Sequence, residues 1–362
     1  MRVIELSGEG QNVGRQHGEA LRGEIREFHE EIVDLHLKNI GGGVTKAALE
    51  EICERNIPFL RRYSPVLLEE LGGIAEGAAV SFQDVLFLNS FLELEDLRPP
   101  VLGMKLRTKP LWGCTTLSVL PEAARGGKTL LAQTYDMEPA YGKYNAVLKI
   151  ARPSGTELIY TLAGVLGLNG MSDRGLGLVI NKLVAKDARA GVIYPALVRQ
   201  ALSQERLGDA FGAVVFAPRA TGMNYQLASR DGLGFCLELS AGQYNLVPFE
   251  NGALAHTNHY LTDLMRPFET PNWLSHGGSY VRREVAARFL REQHGAINVE
   301  SIMALTRDHT NYPRCVCAHP LPEETQMTAC ATIAAVIFDL SAGVMHACDG
   351  NPCQNEYAAF NF

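Results

Sequence analysis

At 362 residues, 46% hydrophobic and 20% charged, the chain has a normal globular balance and ample length for a sizeable core. Its formal net charge of -7 excludes nucleic acid as the main partner, because phosphate recognition needs a basic field. No stretch approaches the roughly 18 apolar residues of a membrane span, and Met1-Arg2-Val3-Ile4-Glu5 opens no leader pattern. No membrane partner and a cytoplasmic location are therefore expected.

The first third reads helical. Leu21, Ile25, Phe28, Ile32 and Leu35 step by four and three residues, which predicts one helix over residues 13–39. A second helix is predicted over 45–56, limited by Pro58. Ser81-Phe82-Gln83-Asp84 has the pattern of a capping box opening a helix over 85–97, which Pro99-Pro100 stops. The acidic run Glu93-Leu94-Glu95-Asp96 reads as a solvated face of that helix, and His17 as a packing or surface residue. Residues 98–112, with Gly103 and Pro110, read as an exposed connector.

From Cys114 the pattern changes to short strands with turn signals. Strands over 115–120, 129–135, 146–151 and 156–162 follow one another like hairpins. Residues 175–183 are almost continuously apolar, which predicts a strand buried on both faces. Helices are expected over 194–203, 209–215 and 280–291. Arg230-Asp231-Gly232 is a hairpin turn between strands 225–229 and 235–239, and strand 332–340 is answered by 344–348. No internal repeat or composition break marks another domain after Cys114. The chain thus reads as a helical N-terminal third, 1–113, feeding an antiparallel, helix-covered β-rich body over 114–362.

Eight cysteines are too sparse and irregular for a disulfide scaffold. Cys315-Val316-Cys317-Ala318-His319, with His309 nearby, is the one metal-like cluster. Zinc sites favour wider spacing and a matching second pair, so this segment reads as a loop with incidental thiols and no metal is expected.

The most informative stretch is Trp112-Gly113-Cys114-Thr115-Thr116, a cysteine between a glycine and two hydroxyl residues at the mouth of a strand. Alone, Cys114 fits a buried strand residue, since free cysteine is among the most buried side chains. Ala132-Gln133-Thr134-Tyr135-Asp136 and His256-Thr257-Asn258-His259 change that reading. With them the chain resembles the acyl-CoA:6-aminopenicillanate acyltransferase family, an autoproteolytic branch of the N-terminal-nucleophile hydrolases. Further blocks agree in order: Val13-Gly14 through His17-Gly18, Leu88-Asn89 with Glu93, Asn181-Lys182-Leu183, and Gly191 with Arg199. Asp308-His309 through Pro313, Ala331-Thr332 and Gly350-Asn351-Pro352-Cys353 extend the resemblance over nearly the whole chain.

The resemblance implies an α+β protein with a four-layer αββα N-terminal-nucleophile hydrolase fold. It also implies that the precursor cleaves its own Gly113–Cys114 bond, giving two associated fragments, 1–113 and a catalytic chain headed by Cys114. Glycine there admits strained dihedrals and lets the thiol reach the preceding carbonyl. The freed Cys114 carries a thiol and an α-amine of reference pKa about 7.7–8.0, which serves as its own base. Asp136 is implied to orient and charge-balance that amine, where the residues alone equally allow a turn aspartate. Asn258 is implied to stabilise the oxyanion, where they allow a turn asparagine. Asn181 and Thr115 are supporting candidates. The implied partner is a small-molecule amide or acyl donor; no cofactor is implied, and acyl-CoA enters only as a substrate.

One departure stands out. Where the penicillin-forming member carries arginine, this chain reads Thr328-Ala329-Cys330, so any role of that guanidinium is unfilled or moves to Arg307 or Arg314. No β-lactam specificity is carried over. Two other readings stay open: an unprocessed Cys–His amide hydrolase using His256 or His259 as base, and a catalytically silent binding protein with the same fold. The acyl group, the amine and the choice between hydrolysis and transfer are not legible.

Overall fold

The computed structural model describes all residues except 41–43, 103–112, 271–276 and 325–328. The chain opens on a strand, β1 (Arg2–Ser7), and then winds through α1 (Gly10–Ala20), α2 (Arg22–Ile40), α3 (Lys46–Glu54), α4 (Ile57–Tyr63), α5 (Pro65–Ala78) and α6 (Phe82–Leu102). The single helix expected over 13–39 is two helices that break at Leu21, whose N–H bonds the His17 carbonyl. The predicted apolar face holds, with Leu21, Ile25, Phe28, Ile32 and Leu35 all buried. Pro58 does not limit a helix; it sits in the first turn of α4, where a missing N–H costs nothing. The Ser81–Asp84 capping box is reciprocal, Asp84 N–H to Ser81 Oγ at 3.1 Å and Ser81 N–H to Asp84 Oδ2 at 3.0 Å. Pro99-Pro100 does not stop α6, which continues to Leu102.

Glycine sets the closest helix crossing. A Cβ on Gly14 of α1 would lie 1.9 Å from the Glu70 carbonyl of α5, and one on Gly73 of α5 would lie 2.1 Å from the Gln11 carbonyl. The Val13–Gly18 motif is therefore a backbone-to-backbone packing surface. His17 follows from it: fully buried, its Nε2 accepts the Gly164 N–H at 3.1 Å.

The remaining elements are β2 (Gly113–Val119), β3 (Leu130–Met137), β4 (Asn145–Arg152), β5 (Gly155–Leu162), β6 (Asn169–Ser172) and β7 (Leu176–Lys182). Helices α7 (Tyr194–Leu202) and α8 (Leu207–Val215) follow, then β8 (Met223–Ser229), β9 (Gly234–Leu239), β10 (Tyr244–Val247) and β11 (Ala253–His256). The chain ends with α9 (Gly278–Glu292), α10 (Val299–Leu305), β12 (Ala331–Asp339), β13 (Val344–Asp349) and β14 (Tyr357–Asn361). The strands form an eight-stranded sheet, β1-β4-β5-β6-β7-β8-β9-β10, and a six-stranded sheet, β11-β2-β3-β12-β13-β14. The β2–β3 and β4–β5 pairs are hairpins as expected, but β3 and β4 do not pair. A 3-10 turn over Pro139–Tyr144 carries the chain from one sheet to the other.

The sheets stack face to face, β2 and β3 against β7 and β2 against β8. Helices α7 and α8 cover β6–β9 on one outer side, and α9 and α10 cover β11, β2 and β12 on the other. The result is the α+β, four-layer αββα arrangement. β7, buried along its whole length, lies inside the stack as its apolar run predicts. The N-terminal segment is woven into this body, since β1 runs parallel to β4 at the edge of the larger sheet.

Glu93 and Asp96 of the acidic run of α6 are not solvated, while Glu95 is half-buried. That helix packs against α2, α3, α5 and α7. Glu93 is fully buried and accepts the Tyr194 N–H at 2.6 Å; buried Asp96 pairs with Lys182 Nζ at 2.5 Å. Among the described residues no helix is long and apolar enough to cross a membrane.

Candidate active site

β2 pairs with β3 along its whole length, Gly113 opposite Asp136 and Cys114 opposite Tyr135. On its other edge β11 reaches only as far as His256, opposite Thr116. The outward main-chain groups of Cys114 therefore lack a ladder partner and must find side chains. Its N–H donates to Asn258 Oδ1 at 2.8 Å. Its carbonyl accepts from Arg282 Nη1 at 2.6 Å and from Asn181 Nδ2 at 3.2 Å. Arg282 also donates to Thr115 Oγ1 at 3.1 Å and to Asn258 Oδ1 at 3.0 Å.

Cys114, Thr115, Asp136, Asn181 and Asn258, scattered along the sequence, are thus gathered around one residue. Asp136 is buried, with Oδ2 4.0 Å from Arg282 Nη1 and Oδ1 accepting the Thr332 hydroxyl at 2.7 Å. Asn181 reaches across from the other sheet, its Oδ1 held by the Thr116 hydroxyl at 2.6 Å and Asn224 Nδ2 at 2.8 Å. Asn258 sits just past β11, with Nδ2 donating to the Lys182 carbonyl at 3.2 Å.

Charge is balanced tightly here. Burial pushes the Cys114 thiol up to about 12; the Asp136 carboxylate adds to that and Arg282 opposes it. Burial also raises Asp136 above its ordinary range, again against Arg282. Arg282 is the residue sequence reasoning missed. Its signal was present, because Arg282 shares the buried face of α9 with Val285 and Ala286. The guanidinium hydrogen-bonded to the Cys114 carbonyl is thus neither Arg307 nor Arg314. Arg307 Nε donates to the Pro352 carbonyl, while Arg314 is taken by Glu324 and by the carbonyls of His319 and Cys330.

Gly113 is glycine for space. Its φ lies outside the left-handed range, but a Cβ would stand 2.8 Å from Asp136 Oδ2 and 2.9 Å from Arg282 Nη2. Strained dihedrals are not the reason. Both histidines proposed as a base are engaged elsewhere. His256 is fully buried between Glu238 Oε1 at 2.9 Å and the Thr257 carbonyl at 2.8 Å. His259 lies 2.8 Å from Ser279 Oγ and stacks on Tyr280, and burial pushes it down to about 3. Next to Asn258 and Arg282 in sequence, His259 and Arg283 line a cavity of about 660 Å³ with Tyr280, Lys186, Arg266 and Glu269.

Residues 123–354 match the family model described as acyl-coenzyme A:6-aminopenicillanic acid acyl-transferase. The "acyl-coenzyme A:6-aminopenicillanic-acid-acyltransferase 40 kDa form" of Emericella nidulans is 25% identical over 320 residues, covering 87% of this chain and 84% of that protein. Among solved structures, the Caenorhabditis elegans ortholog of N-acylethanolamine-hydrolyzing acid amidase aligns at a TM-score of 0.43 and 14% identity, over 63% of this chain and 93% of its own. A mutant conjugated bile acid hydrolase from Clostridium perfringens aligns at 0.45 and 11%, over 69% and 97%. The family match takes in Asp136, Asn181, Asn258 and Arg282, four of the side chains gathered at Cys114, and extends over most of the chain. This protein is an enzyme of the acyl-coenzyme A:6-aminopenicillanic acid acyl-transferase family.

Proposed function

We propose that the protein is a self-processing cysteine amidohydrolase or acyltransferase whose nucleophile is the thiol of Cys114. One observation carries this reading: side chains from β7, α9 and the loop after β11 converge on the main chain of Cys114, the residue that heads β2 after Gly113. A strand residue with only a packing role has no use for a buried guanidinium and two amides on its backbone.

In processing, the Cys114 thiol adds to the Gly113 carbonyl, the Gly113–Cys114 C–N bond breaks, and an internal thioester forms with the amine of Cys114 released. Water then opens the thioester to a Gly113 carboxylate and a free thiol. The side-chain oxygen of Asn258, which accepts the Cys114 N–H in the uncut chain, is placed to accept from the α-amine afterwards. Once released, the amine also changes the electrostatics of the site for turnover. A thiol pushed up to about 12 is a poor nucleophile; an adjacent base, whose conjugate acid balances Asp136, makes it usable.

In turnover, Cys114 Sγ attacks an amide carbonyl while the α-amine takes the thiol proton. The tetrahedral oxyanion is met by the Asn258 amide. The α-ammonium protonates the leaving amine, and the acyl-Cys114 thioester passes to water or to an acceptor amine. The Emericella nidulans relative, named as an acyltransferase, supports transfer as well as hydrolysis. Alanine at position 329 gives no ground for extending its 6-aminopenicillanic acid specificity to this chain.

Intact mass spectrometry tests the proposal before any substrate is known. Wild-type protein is expected as two fragments, one ending at Gly113 and one beginning at Cys114, while Cys114→Ala stays whole. Asn258→Ala is expected to cleave but to lose turnover by ~10²–10³-fold, as for removal of one oxyanion donor. Cleavage of Cys114→Ala at the same bond would assign the cut to an external protease.

A further inference from the structure

Four metal-ligating side chains from two separate connections meet at the edge of the six-stranded sheet. His309 follows α10, Cys317 and His319 lie on the segment before β12, and Cys353 lies between β13 and β14. One ligand atom from each falls within 4.8 Å of all the others. We propose that His309, Cys317, His319 and Cys353 form a tetrahedral Cys₂His₂ zinc site that fixes the loops behind Asp136.

The distances carry the assignment. Zinc bonds of about 2.0–2.1 Å to nitrogen and 2.3 Å to sulfur set tetrahedral edges of about 3.3 Å between two nitrogens and about 3.5 Å between nitrogen and sulfur. Here His309 Nε2 and His319 Nε2 are 3.1 Å apart. Cys353 Sγ and Cys317 Sγ stand 3.4 and 3.6 Å from His319 Nε2. His309 and Cys353 are exposed, so the outer edge closes by side-chain adjustment alone. Both histidines present the same nitrogen inward. In the absence of a cation that pairing offers a single hydrogen bond; around a dication all four groups become donors of electron pairs.

The surroundings are those of a held site. Asn351 Nδ2 donates to Cys317 Sγ at 3.6 Å and to the Ala318 carbonyl at 2.7 Å, a contact that supports a thiolate and the loop together. The Cys317 N–H bonds the Asp308 carbonyl at 3.1 Å, tying the ligand pair to the first histidine. Cys315, grouped with this cluster by sequence, is excluded: its thiol donates to the Cys317 carbonyl. The expectation of no metal rested on the lack of a second matching pair, and Cys353, 34 residues beyond His319, supplies the missing ligand.

The site has a direct line to the chemistry. Ala318, between Cys317 and His319, donates its N–H to Thr332 Oγ1 at 2.8 Å, and that hydroxyl donates to Asp136 Oδ1 at 2.7 Å. A metal that fixes residues 317–319 therefore fixes the hydroxyl that orients the carboxylate.

The test uses the full chain, tag-free and purified without chelator. Elemental analysis is expected to find about one zinc per chain. After stripping and reduction, Co²⁺ is expected to give the intense visible and thiolate charge-transfer bands of a tetrahedral site. Cys353→Ser, at an exposed position, is expected to lose the charge-transfer intensity of one thiolate and most of the zinc while keeping wild-type circular dichroism. Chelation is expected to lower the melting temperature of wild type and leave Cys353→Ser unmoved. Wild type without zinc that also gives no cobalt spectrum overturns the proposal. So does a Cys317–Cys353 disulfide in metal-free protein, or zinc retained equally by Cys353→Ser.

Discussion

The guanidinium of Arg282 stands 2.6 Å from the carbonyl oxygen of Cys114, so one cation from an outer helix is directed at the first peptide unit of a central strand. Its fork spans that carbonyl, the Thr115 hydroxyl and the Asn258 amide oxygen together. Lysine, a point charge, cannot reproduce such a fork. Arg282→Lys is expected to slow appearance of the Cys114-headed fragment by ~10²-fold, in the range of other lost preorganised donors. A time course on denaturing gels measures it. Fragment formation at the wild-type rate would reduce Arg282 to a packing role.

Gly113→Ala keeps an ordinary backbone conformation but drives a methyl group onto Asp136 Oδ2 and Arg282 Nη2. The expected outcome is a folded chain with impaired self-cleavage, seen as an intact band beside near-native circular dichroism. Gly113→Ala that cuts normally would mean the two charged groups part without consequence.

Two neighbouring glycines in α5 make opposite predictions. A Cβ at Gly72 meets nothing within 4 Å, whereas one at Gly73 meets the backbone of α1. Gly72→Ala is expected to stabilise by about 0.5–1 kcal/mol through helix propensity and lost unfolded-state freedom. Gly73→Ala is expected to cost about 3 kcal/mol by forcing the helices apart. Urea unfolding of the pair separates the effects.

Glu93 gives a pH signature. Burial pushes its carboxyl up to about 7, with Lys182 opposing, from an ordinary 4.5. Below 4.5 both folded and unfolded states hold the proton. Between 4.5 and 7 the unfolded chain releases it while the folded chain keeps it, so this group's stabilisation fades as pH rises through that window. Glu93→Gln has no such loss and can still accept the Tyr194 N–H. The melting temperature of Glu93→Gln relative to wild type is therefore expected to climb from pH 4.5 to pH 7, by differential scanning calorimetry. A difference that stays flat across the window means Glu93 titrates normally.

What was legible in the sequence follows what is local. The capping box at Ser81 and Asp84, the turn at Gly232 (φ +84°) and the apolar run of β7 each depend on neighbouring residues and survive into the structure. β1 and β11 were not anticipated, because six- and four-residue strands owe their existence to partners far along the chain. Glu93 and Asp96 read as solvated because charge normally is; only the packing of α6 against its neighbours, with Tyr194 and Lys182 waiting, reverses that. The candidate residues came from motifs, yet Arg282 lies in none of them. Its spacing with Val285 and Ala286 marks it as an arginine on an apolar helix face, but its role depends on α9 crossing the open end of β2, which that local pattern does not encode.

Glu70 of α5 and Arg199 of α7 meet at 2.7 Å, each almost wholly excluded from water, across the boundary between residues 1–113 and the rest. Pulling the two pieces apart would break this pair and expose to water the apolar surface packed around it. The proposed cut at Gly113 is thus expected to create new chain ends without creating separable subunits. Mixed populations of labelled and unlabelled nicked protein should not swap halves at native temperature, and melting should remain one cooperative event. A chain cut there is expected to behave as one folded body with a gap in its backbone.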